Sequence, residues 1–151
     1  MIEVLKPYFE QKGDDLSTEE RNLLQISYKN AIGLRRIAWR AVKQVGTLGK
    51  FKKYREDQKS YQAKLEEELV DLCKDMLSLI TKHLYPRAKK GNKTEEMVFY
   101  LKLQGDYFRY VAEVGEGDRL QKATERALKC YNDAIELAEQ LSPADPTRLS
   151  L

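Results

Sequence analysis

Between residues 29 and 43, Lys29, Gly33, Arg36, Arg40 and Lys43 follow one another at alternating intervals of four and three. On a helix that spacing gathers them into one stripe. Lys29 and Arg36 then lie two turns, roughly 10 Å, apart along the axis, and Gly33 between them has no side chain to obstruct a ligand. Lys102 and Arg109 repeat the seven-residue interval later in the chain, with Tyr110 beside Arg109. Facing each other across a groove, the two stripes offer guanidinium forks, ammonium groups and a phenol hydroxyl, the donors a phosphate dianion requires. The same spacing also describes a solvated helix face, on which Asp106 and Glu113 would pair with the cations. Spacing alone leaves both readings open.

Other chemistries lack their residues. His83 is the one histidine of the chain, so a histidine-dependent triad or a histidine-pair metal site is short of members. Cys73 and Cys130 share no short metal-binding interval, and neither a GxxxxGK[ST] phosphate loop nor a GxGxxG turn occurs. The expectation is therefore a protein without catalytic residues, metal or cofactor, whose many carboxylates form solvated faces.

The elements that must position the cations are helical. Ile2, Leu5 and Phe9 share one face of a first segment over about 2–12, which ends at Gly13 and whose first turn Pro7 makes irregular. Ser17 and Glu20 have the spacing of a capping box and open a second helix that runs to about Val45 on Leu24, Ala31, Ile32, Ala38 and Trp39. Gly46 and Gly49 interrupt it. A third helix carries Leu65, Leu69, Leu72, Met76 and Leu79 and is expected to stop before Pro86. Asn92 and Glu95 repeat the capping spacing ahead of a fourth, reaching about Val114 with Met97, Tyr100, Leu101, Phe108 and Val111 inward. A fifth begins near Asp118, with Leu120, Ala123, Ala127, Cys130, Tyr131, Ala134 and Ile135 as its apolar face. Asp145-Pro146 then supplies an N-cap and a proline at the first helical position, after which the sequence ends at Leu151. Short connections between helices of this length make consecutive helices antiparallel, and no alternating strand pattern is present. The fold class is all-α, an array of about five helices in a single domain, 1–151, that reads as cut short where a new element starts.

With 151 residues, 42% hydrophobic and 34% charged, the chain is long enough for a core and too apolar for disorder. It lacks both the run of roughly 20 apolar residues that a spanning helix needs and the pattern of a secretory leader at residues 1–15. Membrane partners are not expected. Two cysteines inside helical patterns suit a reducing, cytoplasmic setting. The net charge of +3 is too small to imply nucleic acid. A polyanion reading would rest on Lys50, Lys52, Lys53 and Arg55 with the arginine stripe, and a solvated loop is the plainer account.

Two long segments carry a family resemblance. STEERNLLQISYKNAIGLRRIAWR (17–40) resembles the signature helix of 14-3-3 proteins, and MVFYLKLQGDYFRYVAEV (97–114) resembles that family's second signature. Similarity continues through ELVDLCKDMLSLI (68–80) and AIELAEQLSPADPTRLSL (134–151). It spans the whole chain but only the middle part of a family member, without the family's first helix and last three helices. The resemblance implies the antiparallel helical array of 14-3-3 proteins and an adaptor that clamps a partner's phosphoserine or phosphothreonine. Its phosphate ligands would be Lys29 in the YKN element, Arg36 as the second arginine of RR, and Arg109 and Tyr110 in DYxRY, with Lys102 of YLK as a further groove lysine. Arg40 and Lys43 return to the surface under this reading. The family's homo- or heterodimers draw on the missing first helix and on the region matching Tyr61, Lys64 and Glu68. The alternative function is a helical interaction module of the same fold that no longer reads phosphate.

Overall fold

In a computed structural model of the chain, residues 2–12 and 16–151 are described, the side chains of residues 50–52 excepted. Helix α1 (Ile2–Gln11) continues through Pro7, giving up one backbone bond rather than its first turn. The expected stop at Gly13 lies outside the described residues. Helix α2 (Thr18–Gly46) begins where its cap predicts. The Ser17 hydroxyl accepts from the Glu20 N–H at 3.2 Å, and the Glu20 carboxylate accepts from the Ser17 N–H at 2.8 Å. Lys12 and Tyr8 of α1 donate to the same carboxylate, so one side chain caps α2 and fastens α1 to it.

A 3-10 turn (Gly49–Tyr54) leads to α3 (Arg55–Leu79). The helix does not stop before Pro86. It widens into a π-turn at Ile80–Leu84, where the Tyr85 N–H bonds the carbonyl of Ile80, and continues as α4 (Tyr85–Lys90). The wider turn accommodates a residue with no N–H to give, which an unbroken α-helix would not. Asn92 is likewise not a cap for the next helix. It takes the left-handed conformation (φ 52°) and ends the preceding one. Helix α5 (Thr94–Val114) starts after Lys93 without a side-chain cap, leaving Glu95 free to hold Arg21 at 3.0 Å and the Thr147 hydroxyl at 2.6 Å. Helix α6 (Gly117–Ala138) follows, and Asp145 caps the short α7 (Pro146–Leu149) by accepting from the Thr147 and Arg148 N–H groups. No strand occurs among the described residues.

Side-chain partners fix the directions. Between α2 and α3 the pairs are Tyr28–Asp75, Arg35–Glu68 and Trp39–Glu66, numbers rising on one helix as they fall on the other. Gln104–Cys130 and Phe108–Arg126 show the same for α5 and α6. Between α2 and α5, Arg21–Glu95 and Arg36–Glu113 rise together. Consecutive long helices are antiparallel, which makes α2 and α5 parallel neighbours.

The core joins α1, α2, α3 and α5 through Phe9, Leu24, Tyr28, Ile32, Leu69 and Met76, with Tyr100 and Tyr107 fully enclosed. Each such side chain contributes roughly 1.5–3 kcal/mol by leaving water. On α6 the buried face is Ala123, Ala127, Ala134 and Ala138, while Leu120 and Ile135, expected inward, are exposed. Small residues let α6 lie close against α5, and the larger ones turn outward. Cys73 is buried and Cys130 half-buried, both as free thiols, and burial pushes the Cys73 thiol up to about 12.

Replacing Ser17 by Ala is expected to cost about 1 kcal/mol of stability, as N-cap removals do, measured by thermal or urea unfolding. The capping carboxylate adds a pH test. Hydrogen bonds from Lys12, then Tyr8 and the Ser17 backbone, lower Glu20 from 4.5 to about 2. A carboxylate depressed by folding stabilises above its ordinary value, and that contribution is lost as pH falls toward the folded one. Between pH 4.5 and 2, Glu20→Gln should therefore lose less melting temperature than the parent chain.

Candidate functional site

Because α2 and α5 are parallel, their seven-residue intervals come into register. Lys29 and Arg36 stand to Lys102 and Arg109 with the sequence offset that Arg40 and Glu113 share across a direct hydrogen bond. Lys29, Lys102, Arg109 and Tyr110 line a single pocket of about 230 Å³, together with Gln25, Asp106 and Tyr107. It continues past Gln25 and Lys102 into a trough bordered by Phe99, Pro146, Thr147 and Ser150. The Arg21–Glu95–Thr147 links place that end of the trough, with the Arg21 guanidinium over the Phe99 ring at 5.3 Å.

Arg36 stands beside this pocket rather than in its lining. Its guanidinium lies 4.5 Å from the centre of the Tyr110 ring, and that of Arg109 lies 5.0 Å from the same ring. Tyr110 thus presents its aromatic body to both arginines, a favourable cation–π arrangement. The Arg36 Nε donates to Glu113 at 2.6 Å and the Arg40 Nε to the other oxygen of that carboxylate at 2.8 Å. Burial pushes Glu113 up, but these arginines outweigh it and hold the carboxyl below its ordinary value. Arg40 is more than a bystander: it shares the carboxylate on which Arg36 rests. Lys43 stacks over the Trp39 ring at 4.6 Å and takes no part in the site.

Inside the pocket Asp106 is the organising group. Its carboxylate accepts from Lys102 at 3.1 Å, from Arg109 at 3.5 Å and from the Tyr131 hydroxyl of α6 at 2.7 Å. Lys29 has no hydrogen-bond or ion-pair partner among the described residues. The cations on this seam are Lys29, Arg36, Arg40, Lys102 and Arg109, and the carboxylates among them are Asp106 and Glu113. The balance favours an incoming anion. The cations converge, and they are partly paired.

Sequence reasoning placed Tyr131 in the core and did not connect it to the cations. Its seat depends on Gly105, where a Cβ would fall 2.7 Å from the Tyr131 ring. The missing side chain lets the ring rest on the α5 backbone and aims its hydroxyl at Asp106. Burial and the Asp106 hydrogen bond raise that hydroxyl to about 12, so it remains a donor at neutral pH. Tyr107 is buried against Tyr28 and Tyr110, and its hydroxyl has no hydrogen-bond partner among the described residues. No spacing in the sequence would have drawn in either tyrosine. Asp106 was visible, four positions after Lys102 and three before Arg109.

No group of three or more His, Cys, Asp and Glu side chains that could hold a metal ion is formed among the described residues. No helix among them is long and apolar enough to cross a membrane.

The family model described as 14-3-3 protein matches residues 1–151. The chain is 44% identical over 141 residues to 14-3-3 protein homolog 2 of Schistosoma mansoni, covering 91% of this chain and 64% of the relative. It is 40% identical over 153 residues to human 14-3-3 protein beta/alpha, covering all of this chain and 61% of the relative. Protein BMH2 of Saccharomyces cerevisiae is 43% identical over 156 residues, with 56% of its length covered. The chain thus spans about three-fifths of the length of the curated relatives it matches.

Gly105→Ala should force the Tyr131 ring off α5 and destabilise the fold by about 1–3 kcal/mol, as overpacking does. Tyr131→Phe in the same background should recover none of that loss, because the clash is with ring carbons. Urea unfolding of the single and double variants reads both outcomes.

Proposed function

Since the chain belongs to the 14-3-3 family, we propose that it is a phosphoserine- and phosphothreonine-dependent adaptor. In this role it binds the phosphorylated segment of a partner protein and regulates that partner by occupancy, without chemistry of its own. The observation that carries the reading is the convergence of Lys29, Lys102, Arg109 and Tyr110 on one pocket, with Arg36 against the Tyr110 ring. A phosphate dianion there would receive an ammonium from each lysine, the guanidinium fork of Arg109 and the Tyr110 hydroxyl. Charge-assisted bonds of this kind are the strong ones. Lys29, which has no partner among the described residues, gives up none of those on binding.

Arg36 and Arg109 would act partly by exchange. A dianion carries more charge and more acceptor oxygens than the carboxylates it would compete with, so it draws the arginines from Glu113 and Asp106. The neutral phenol of Tyr131 would then keep Asp106 in place while its cations turn to the ligand. The trough toward Pro146 and Ser150 offers a path for the chain beyond the phosphoresidue, lined by Phe99 on one side and hydroxyls on the other. The family's dimers, homo- or heterologous, extend the reading to a partner that is crosslinked or masked by two such pockets.

A second reading keeps the fold and drops the phosphate. It is favoured by Asp106 and Glu113, which already neutralise part of the cation cluster. The groove would then dock helices or extended segments whatever their phosphorylation.

A fluorescent peptide carrying Arg-Ser-x-phosphoSer-x-Pro, titrated beside its unphosphorylated twin, separates the two. The adaptor reading expects binding of the phosphopeptide alone and a loss above ten-fold in Arg109→Glu or Arg36→Glu, since a charged hydrogen bond is worth about 2 kcal/mol. Equal binding of both peptides, or indifference to the charge reversals, would move the second reading to first place. Affinity should also fall as pH drops through about 6, where the dianion takes up a proton. Glu113→Gln, which releases Arg36 and Arg40 from their carboxylate, should tighten phosphopeptide binding several-fold in the same assay.

A further inference from the structure

On α5, Phe108 and Val111 project to the side away from Lys102, Asp106 and Arg109, as a helix turning about 100° per residue requires. There, between α3 and α6, lies a hollow of about 370 Å³ that the phosphate site does not use. Its floor is apolar: Val70 and Leu77 of α3, Phe108 and Val111 of α5, and Ala123 of α6. Its rim is cationic: Lys74, Arg119, Lys122 and Arg126, against the single carboxylate of Asp118.

Surface ion pairs account for only half of the rim. Lys122 is held by Asp118 at 2.7 Å and Lys74 by Asp71 at 3.5 Å. Arg119 and Arg126 have no hydrogen bond or carboxylate among the described residues. On the other side of the molecule Arg21, Arg35, Arg36, Arg40 and Arg109 each have one. Arg126 instead lies over the Phe108 ring at 5.6 Å. Arg119 and Arg126 are two turns apart on one face of α6, roughly 10 Å along the axis. Between them is the buried Ala123, whose short side chain leaves the hollow open. The N-terminus of α6 opens at the same rim, and Glu116 gives it no side-chain cap.

We propose that this hollow is a second peptide-docking surface, one that takes an acidic segment bearing a large apolar side chain between carboxylates, independently of phosphorylation. Charge complementarity selects the occupant. With Lys122 and Lys74 paired to Asp118 and Asp71, the guanidiniums of Arg119 and Arg126 beside an apolar floor disfavour a basic or purely apolar segment and favour one that brings acid with its apolar group. Two free guanidinium forks match two carboxylates bidentately. An extended chain spans the distance between them in about three residues at roughly 3.3 Å each, which leaves an intervening side chain over the hollow. That side chain gains the Phe108–Arg126 stack as one wall, and both arginines shed solvent against it. The surface lies on the far face of α5, so a partner held by its phosphate could be gripped here by a second segment.

The test is fluorescence anisotropy of a labelled peptide, Gly-Asp-Glu-Leu-Phe-Asp-Glu-Gly, with the full chain. Saturable binding is expected, weakened at least ten-fold in the double variant Arg119→Glu/Arg126→Glu and to a similar degree when Leu-Phe in the peptide becomes Ser-Ser. Arg109→Glu should leave it unchanged, and the double variant should keep whatever phosphopeptide affinity the parent has. Both arginines are exposed, so the variant's melting temperature should match the parent's. The parent protein supplies a check that needs no variant: affinity should fall steeply as salt rises. Absence of saturable binding overturns the proposal, as does binding that survives the double variant. Loss of binding in Arg109→Glu would seat the peptide in the phosphate pocket and overturn it equally. Binding of decanoate, lost in the double variant, with none of the peptide, would assign the hollow to a small amphiphile instead.

Discussion

Four of the five cations along one seam are held by the two carboxylates that stand among them. Lys29, Arg36, Arg40, Lys102 and Arg109 would repel one another across the α2–α5 interface, the more so where water is partly excluded. Glu113 joins the two arginines of α2 to α5, and Asp106 joins Lys102 and Arg109 to Tyr131 of α6. These bonds let the clustered cations exist within a folded structure. Under the proposed function they would also set its selectivity, since a ligand must offer more than a carboxylate does to take the cations over. A phosphate dianion would meet that condition and a neutral serine would not.

Everything else in the architecture serves the register of that seam. Helix α3 runs antiparallel to α2, and α5 returns parallel to it, so the paired intervals at 29 and 36, and at 102 and 109, lie side by side. The tyrosines set the spacing. Tyr28 meets Tyr107 edge-on with ring centres 6.5 Å apart, and Tyr107 meets Tyr110 at 5.7 Å. The phenol nearest the pocket is thereby fixed through a stack that begins in the core. The Glu20 cap and the π-turn before Pro86 do the same work at a distance. One fixes where α2 begins, and the other carries the α3 line onward so that α5 returns from the far end.

Much of this was legible in the residues. The α2 cap, the end of α5 at Val114 and the Asp145-Pro146 start are local signals, each satisfied by neighbours in sequence, and they hold in the fold. The stripes were legible because helical periodicity is exact enough to collect Lys29 with Arg36 and Lys102 with Arg109. That Lys29, Lys102 and Arg109 share one pocket with Arg36 beside it needed the parallel register of the helices. What failed were signals that tertiary context overrides. Pro86 normally ends a helix, but a π-turn absorbs it. Asn92 has cap chemistry, but its conformation closes the helix before rather than opening the one after. Leu120 and Ile135 are large and periodic, yet α6 packs through alanines because close approach to Gly105 outweighs side-chain size. The Tyr131–Asp106 bond joins residues 25 apart with no periodic relation, so only the packed helices reveal it.

The central claim is that these cations stabilise a phosphate dianion in preference to the carboxylates they already hold. The direct measurement is a phosphorus NMR titration of a phosphoserine peptide, free and bound to the full chain, across pH 4–8. Neighbouring positive charge favours the ionised form, so the account predicts that the second phosphate pKa, about 6 in the free peptide, falls on binding and that the shift shrinks in Arg109→Glu. A bound phosphate that titrates as the free peptide does, or one that titrates higher, would contradict it.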